Sequence, residues 1–118
     1  MTENSNVRLD DLLNYIRTGK VMEAMKEFYA ENVVMEEPAY GATKGLAENL
    51  VREKHFVDSV KEFKNFQVPH QAVGTNTAIY ENIMDWIGQD GKEYHMEQVS
   101  VQTWKNGKIV HERFYYNA

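Results

Sequence analysis

The chain has 118 residues, of which 42% are apolar and 26% charged, and a formal net charge of -5. These values are typical of one globular domain, so we expect a single domain over residues 1–118 with disorder only in residues 1–6. The negative charge argues against a nucleic-acid partner, which needs a basic face, and the lack of cysteine excludes a thiolate metal site. No secretory leader or membrane-spanning run is evident, so we predict a cytoplasmic protein with no membrane partner.

Helical periodicity predicts two short helices at the start of the chain. An apolar stripe runs from Leu9 to Ile16 at helical spacing and ends before Gly19. A second helix is predicted over Lys20–Tyr29, where apolar residues again share one face.

The middle of the chain is predicted to form a strand, a loop and the longest helix. The strand covers Asn32–Glu37 and stops at Pro38, which cannot donate to a ladder. Tyr40–Gly45 reads as a loop, and a helix is predicted over Leu46–Phe63. The buried face of this helix is predicted to hold Leu46, Leu50, Val57 and Val60.

Four strand-like segments follow, and they are Phe66–Val73, Thr77–Ile87, Glu93–Trp104 and Lys108–Tyr116. Asn106-Gly107 joins the last two, because both residues tolerate the positive φ of a two-residue type I′ turn. Helices followed by a meander of strands indicate an α+β domain.

The turn register sorts the last two strands into two faces, because Trp104 would lie opposite Ile109. We expect the more aliphatic face to carry the core: Glu97, Val99, Val101, Thr103, Val110, Glu112, Phe114 and Tyr116. The other face would hold Gln98, Ser100, Gln102, Trp104, Ile109, His111, Arg113 and Tyr115. Trp, Tyr and Arg are favoured at interfaces, so the second face is predicted to form a homodimer contact.

Several segments resemble the nuclear transport factor 2-like superfamily. They are Phe28–Pro38 with its Glu-Pro corner, Tyr40-Gly41, Gly45, Asn106–Val110 and Arg113–Tyr116. Within the superfamily the chain is most similar to SnoaL-like polyketide cyclases, ketosteroid isomerase and limonene-epoxide hydrolase. The resemblance implies a single SnoaL-like domain with a cone-shaped curved antiparallel sheet packed against three helices. It also implies an apolar pocket for a hydrophobic small molecule.

The resemblance suggests three catalytic candidates. Glu37 stands directly before the corner proline, where ketosteroid isomerase has its general base, and a carboxylate beside apolar walls suits proton transfer. Tyr15 lies in the first helix, where that enzyme has an oxyanion tyrosine, and Ser100 stands in place of its second-donor aspartate. Asp85 matches one aspartate of limonene-epoxide hydrolase. The sequence leaves open whether Asp85 points into the pocket or into solvent.

The remaining pocket candidates are predicted to bind the ligand, and they are Met35, Tyr40, Ser100, Glu112, Phe114 and Tyr116. No cofactor is expected, because Gly-rich phosphate loops and nucleophile elbows do not occur in the sequence. His95 and Glu97 alternate onto one face without an evident third ligand, so no metal site is predicted.

Two functions remain open at this point. The first is an acid/base isomerase or cyclase acting on a hydrophobic carbonyl or polyketide-like substrate. The alternative is a non-catalytic module that binds a hydrophobic ligand or only dimerises. A fold of this kind hosts both classes, so the site has to decide between them.

Overall fold

The computed structural model describes residues 7–117, and the disorder predicted for residues 1–6 lies outside them. The helices are α1 (Leu9–Arg17), α2 (Val21–Phe28) and α3 (Leu46–Ser59). The strands are β1 (Tyr29–Glu37), β2 (Gly41–Lys44), β3 (Val60–Val73), β4 (Thr77–Gly88), β5 (Glu93–Lys105) and β6 (Lys108–Tyr115). None of the helices in this range is long and apolar enough to cross a membrane. The cytoplasmic location stays a prediction.

The six strands form one sheet in the order β2-β1-β6-β5-β4-β3. All neighbours are antiparallel except β1 and β6, which are parallel, so the sheet is mixed. The predicted α+β class with three helices packed on a sheet is confirmed. The parallel pair brings the end of β1, with its Glu-Pro corner, beside the end of the last strand.

Several element boundaries differ from the sequence prediction: β1 begins at Tyr29 instead of Asn32, and β3 begins at Val60 instead of Phe66. The predicted loop Tyr40–Gly45 contains β2, which pairs with the end of β1 and turns at Gly41 with a φ of 72°. Helix α3 ends at Ser59, four residues earlier than predicted, because Val60 adopts an extended backbone and pairs with Gly88. A β-branched residue favours the strand at that point.

The predicted Asn106-Gly107 turn is present, with φ of 53° and 78° at its two residues. The predicted faces, however, are wrong for β5. A bulge lies next to the turn, because Trp104 pairs with Ile109 while Thr103 pairs with His111. The extra residue reverses the face of the sheet on which each later side chain of β6 lies.

As a result, both Trp104 and Glu112 lie on the inner face, which the helices cover. The inner face of β5 and β6 carries Gln98, Ser100, Gln102, Trp104, Ile109, Glu112, Phe114 and Tyr116. The valines of β5 lie outside. Choosing the inner face by its aliphatic content fails for β5. The inner residues of β5 are polar, and they are buried because they are hydrogen-bond partners of one another.

The densest packing is at the end of the sheet that α1 and α2 cover. Leu12, Leu13, Phe28, Trp104 and Ile109 are all at most 1% exposed. Helix α3 is different, because Asn49 is its one buried residue and the predicted apolar face is only half-buried. A space therefore remains between α3 and the sheet.

Candidate functional site

A cavity of about 1130 Å³ lies between α3 and the inner face of the sheet. This exceeds the usual volume of a small-molecule pocket, which is about 300–1,000 Å³. Much of its wall is apolar, and it includes Leu12, Met25, Met35, Phe56, Trp86 and Phe114. A few polar side chains interrupt this wall at defined places.

A polar cluster stands at one edge of the cavity. The Arg52 guanidinium donates from Nη2 to Glu37 Oε2 at 2.6 Å and from Nη1 to Thr43 Oγ1 at 2.5 Å. Tyr116 donates its hydroxyl to the other Glu37 oxygen at 2.5 Å. The Tyr40 ring lies 4.6 Å from the guanidinium carbon and is 73% exposed. The cluster thus ties β1, β2, α3 and the end of the chain together at the cavity mouth.

The two partners of Glu37 have defined charge states. Burial, together with the hydrogen bond to Glu37, raises the pKa of Tyr116 to about 12, so this phenol stays protonated at neutral pH. Arginine is always charged. The Glu37 carboxylate is therefore held between a cation and a neutral donor.

Glu53 is another acid of the cavity wall. It follows Arg52 on α3 and makes no hydrogen bond or ion pair with another side chain of residues 7–117. Burial raises the pKa of Glu53 to about 7, the negative charge of Glu112 adds to this shift, and Arg52 opposes it. Glu53 therefore populates both protonation states near neutral pH, as a proton-transfer group requires.

Glu112 lies behind the cavity wall and is 0% exposed. Its carboxylate accepts three hydrogen bonds: from the Tyr29 hydroxyl, from Ser100 Oγ at 2.6 Å and from Gln102 Nε2 at 2.7 Å. The Gln102 amide is oriented by Trp104, whose indole N–H can only donate and reaches Gln102 Oε1 at 2.9 Å. Burial raises the pKa of Glu112, and the three donors oppose that shift.

The buried carboxylate also acts on the tyrosines of the cavity wall. Burial first, and the charge of Glu112 second, raise the pKa of both Tyr29 and Tyr80 above the ordinary value. Both phenols line the cavity and remain neutral. The site therefore offers neutral hydroxyl groups beside an acid that titrates near neutrality.

The structure brings most of the predicted site residues together. Glu37, Met35, Tyr40, Phe114 and Tyr116 all line the cavity. Ser100 and Glu112 do not line it, because they are bonded to each other within the wall. The roles assigned to these residues from the sequence stay predictions.

Asp85 and Tyr15 lie away from the cavity, which corrects their expected placement. Asp85 is on the outer face, where it accepts from Asn65 Nδ2 at 3.1 Å and contacts His95 Nδ1 at 2.6 Å. These bonds, the one with His95 first, lower the pKa of Asp85. Met84 takes the cavity position because strand residues alternate between faces. Tyr15 packs edge-on against Phe28, with ring centroids 5.1 Å apart.

Among the cavity residues that the sequence did not identify, three bear on the chemistry: Arg52, Glu53 and Asn82. Both Arg52 and Glu53 share a helix face with Phe56, which lies three or four residues further on. This helical spacing is the sequence signal that could have placed Arg52 and Glu53 at the cavity. Asn82 precedes Met84 by two residues on β4, so the strand period would have placed them together. Within residues 7–117 no group of three or more histidine or acidic side chains is arranged to hold a metal ion.

This arrangement of helices, sheet and cavity defines a family. The sequence profile of the SnoaL-like domain matches residues 3–116, and the chain belongs to that family. No curated protein matches this chain. The predicted resemblance to SnoaL-like proteins is thereby confirmed.

Solved structures share the fold. A candidate SnoaL-like polyketide cyclase from Mesorhizobium loti is 22% identical with a TM-score of 0.75, over 91% of this chain and 94% of that one. A candidate isomerase from Bacillus subtilis is 25% identical with a TM-score of 0.73, over 99% and 90%. A protein of ketosteroid isomerase-like fold from Catenulispora acidiphila is 10% identical with a TM-score of 0.77, over 95% and 87%.

The raised pKa of Glu53 predicts a pH dependence of stability. The folded state keeps this proton up to about pH 7, whereas an ordinary glutamate loses it near 4.5. Unfolding therefore releases a proton between these values, and the free energy of unfolding falls as pH rises through them. Glu53→Gln removes this contribution, so above pH 7 the variant should be more stable than the wild type by about 1–3 kcal/mol.

Urea unfolding at pH 4.5 and pH 8 measures this difference. The exposed Glu62 supplies a control, and Glu62→Gln should follow the wild-type profile. A constant difference between Glu53→Gln and the wild type at both pH values would contradict the assignment.

Proposed function

We propose that this protein is a proton-transfer enzyme, an isomerase or cyclase that acts on an apolar carbonyl compound bound in the cavity. The observation that carries the proposal is Glu53, an unpaired carboxyl with a pKa of about 7 in the wall of a largely apolar cavity. Perturbed acids in clefts of this kind are typical of catalytic sites. The candidate cyclase and isomerase with the same fold are consistent with this class of reaction.

In the proposed reaction the ionised Glu53 removes a proton from a carbon next to the substrate carbonyl. The electron pair of the broken C–H bond moves onto the carbonyl oxygen and forms an enolate, which a neutral donor of the wall stabilises. An isomerase that acts on a β,γ-unsaturated ketone then returns the proton from Glu53 to the γ carbon of the resulting dienolate, so that the double bond moves into conjugation with the carbonyl. A cyclase lets the enolate carbon attack a second carbonyl of the same molecule, and Glu53 protonates the new alkoxide.

Glu37 and Glu53 compete for the role of base. The sequence predicts Glu37, but both oxygens of its carboxylate are already hydrogen-bonded, one to Arg52 and the other to Tyr116. Glu53 has no such partner among the described side chains. We therefore assign proton abstraction to Glu53, and we assign to Glu37 the positioning of Arg52 and Tyr116.

Deuterium exchange tests the proposal without knowledge of the natural substrate. The protein is added to 2-tetralone in D₂O, and exchange at the carbon next to the carbonyl is followed by NMR. Glu53→Gln should lower the protein-dependent rate by about 10²–10⁴-fold, because it keeps the shape and removes the base. Glu37→Gln should lower it less, and Glu62→Gln should leave it unchanged.

Full exchange activity in Glu53→Gln would refute the assignment of the base. A wild-type protein that binds the ketone but does not speed exchange would favour the alternative function, a non-catalytic module that holds a hydrophobic ligand.

We also propose a homodimer formed through the outer face of the sheet, with corrected residues. The row Ile79–Val101–Arg113 crosses β4, β5 and β6 on the side opposite the cavity. Ile79 is 40% exposed and Tyr115, on the neighbouring row, 47%. A flat sheet face with exposed Ile, Tyr and Arg suits contact with a second copy. Gln102 and Trp104, predicted for this contact, are buried on the inner face and are removed from it.

Light scattering of the purified protein tests this assembly. The wild type should have the mass of a dimer, and Ile79→Lys should shift it to a monomer, because a charge on the contact remains desolvated and unpaired. Val51 on α3 is 55% exposed and lies on another surface, so Val51→Lys should stay dimeric. A monomeric wild type at high concentration contradicts the proposal.

A further inference from the structure

Two amide side chains face each other in the cavity wall. Asn82 on β4 pairs with Gln98 on β5, and both line the cavity. Gln98 Nε2 donates to Asn82 Oδ1 at 3.3 Å. This bond commits the oxygen of the Asn82 amide and leaves its nitrogen as the free end.

The free nitrogen is exceptional in this protein. Asn82 is 1% exposed, and its Nδ2 is the one buried side-chain nitrogen or oxygen of residues 7–117 without a hydrogen-bond partner. Buried donors are nearly always satisfied, because an unpaired donor has lost its water without a replacement. A buried N–H donor without a hydrogen-bond partner, in the wall of a ligand-sized cavity, indicates that the ligand supplies the acceptor.

The surroundings indicate which acceptor fits. Met84 follows Asn82 on the same face of β4, and Met96 lies directly opposite Met84. These flexible thioether side chains adapt their shape and allow a ligand to reach the amide. The Arg52 guanidinium is committed to Glu37, so Arg52 offers no free charge to an anionic group. A neutral acceptor oxygen on an apolar skeleton matches the uncharged N–H donor.

The position also relates to the proposed base. Tyr80 lies two residues before Asn82 on the same face, a spacing of about 7 Å along a strand. The charge of Glu53 is close enough to Tyr80 to contribute to the raised pKa of that phenol. A group anchored at Asn82 therefore lies two strand residues from Tyr80, on the same face of the cavity wall.

We propose that Asn82 determines ligand specificity by donating from Nδ2 to a carbonyl oxygen of an apolar ligand, with Gln98 holding the amide in that orientation. This inference rests on the proposed function only in requiring that the cavity binds an apolar ligand. It does not depend on the identity of the base.

Two probes of matched shape test the proposal. 2-Acetylnaphthalene carries a ketone oxygen, and 2-isopropenylnaphthalene replaces that oxygen by a methylene group. Titration calorimetry of the wild type should give an affinity about tenfold or more higher for the ketone, because only the ketone satisfies the buried donor. In Asn82→Leu the two affinities should become equal, while Glu62→Gln, an exposed control outside the cavity wall, should keep the wild-type ratio.

Equal wild-type affinities for the two probes would overturn the proposal, and so would an unchanged ratio in Asn82→Leu with a native circular dichroism spectrum. The wild-type ratio needs no variant, so it decides the question even if Asn82→Leu does not fold. If neither probe binds, both this inference and the proposal that the cavity binds an apolar ligand are overturned. If the affinity ratio is tenfold but deuterium exchange does not depend on Glu53, this inference stands and the assignment of Glu53 as the base is refuted.

Discussion

The burial of the Glu112 carboxylate is the constraint on which the site depends. A charged group without access to solvent requires donors on every free oxygen position, and Tyr29, Ser100 and Gln102 provide them. This requirement explains why the inner face of β5 is polar although it is buried. The β-bulge beside the Asn106-Gly107 turn makes the arrangement possible, because it directs Glu112 to the same side as Trp104.

The consequences extend from this carboxylate into the cavity. Its charge, within a wall of low polarity, disfavours a second ionised acid nearby, and Glu53 on α3 is that second acid. Burial first, and the same charge second, raise the pKa of Tyr29 and Tyr80 further above the ordinary value of a phenol. Arg52 opposes the shift at Glu53 but is itself bound to Glu37, so Glu37 and Glu53 have different environments and are suited to different roles.

The sequence predicted the fold better than it predicted the site, and the reasons are physical. Local signals, such as the apolar stripe of α1 and the turn residues Asn106 and Gly107, determine local structure and were reliable. The faces of β5 depended on a one-residue bulge, which neither Thr103 nor Val110 signals in the sequence. Glu37 was recognised at the cavity because a proline marks the end of its strand. Glu53 was missed because its raised pKa depends first on burial and second on the charge of Glu112, which is 59 positions away in the chain, and both arise only on folding.

The most direct test of this account is an NMR titration of the Glu53 side-chain carboxyl carbon in the wild type and in Glu112→Gln. The variant should fold, because a glutamine carbonyl can accept two of the three donors and the Tyr29 hydroxyl can turn to accept from the new amide. The account predicts a midpoint near pH 7 for Glu53 in the wild type and a lower one in the variant. A wild-type midpoint near the ordinary 4.5, or one that is the same in both proteins, would contradict it.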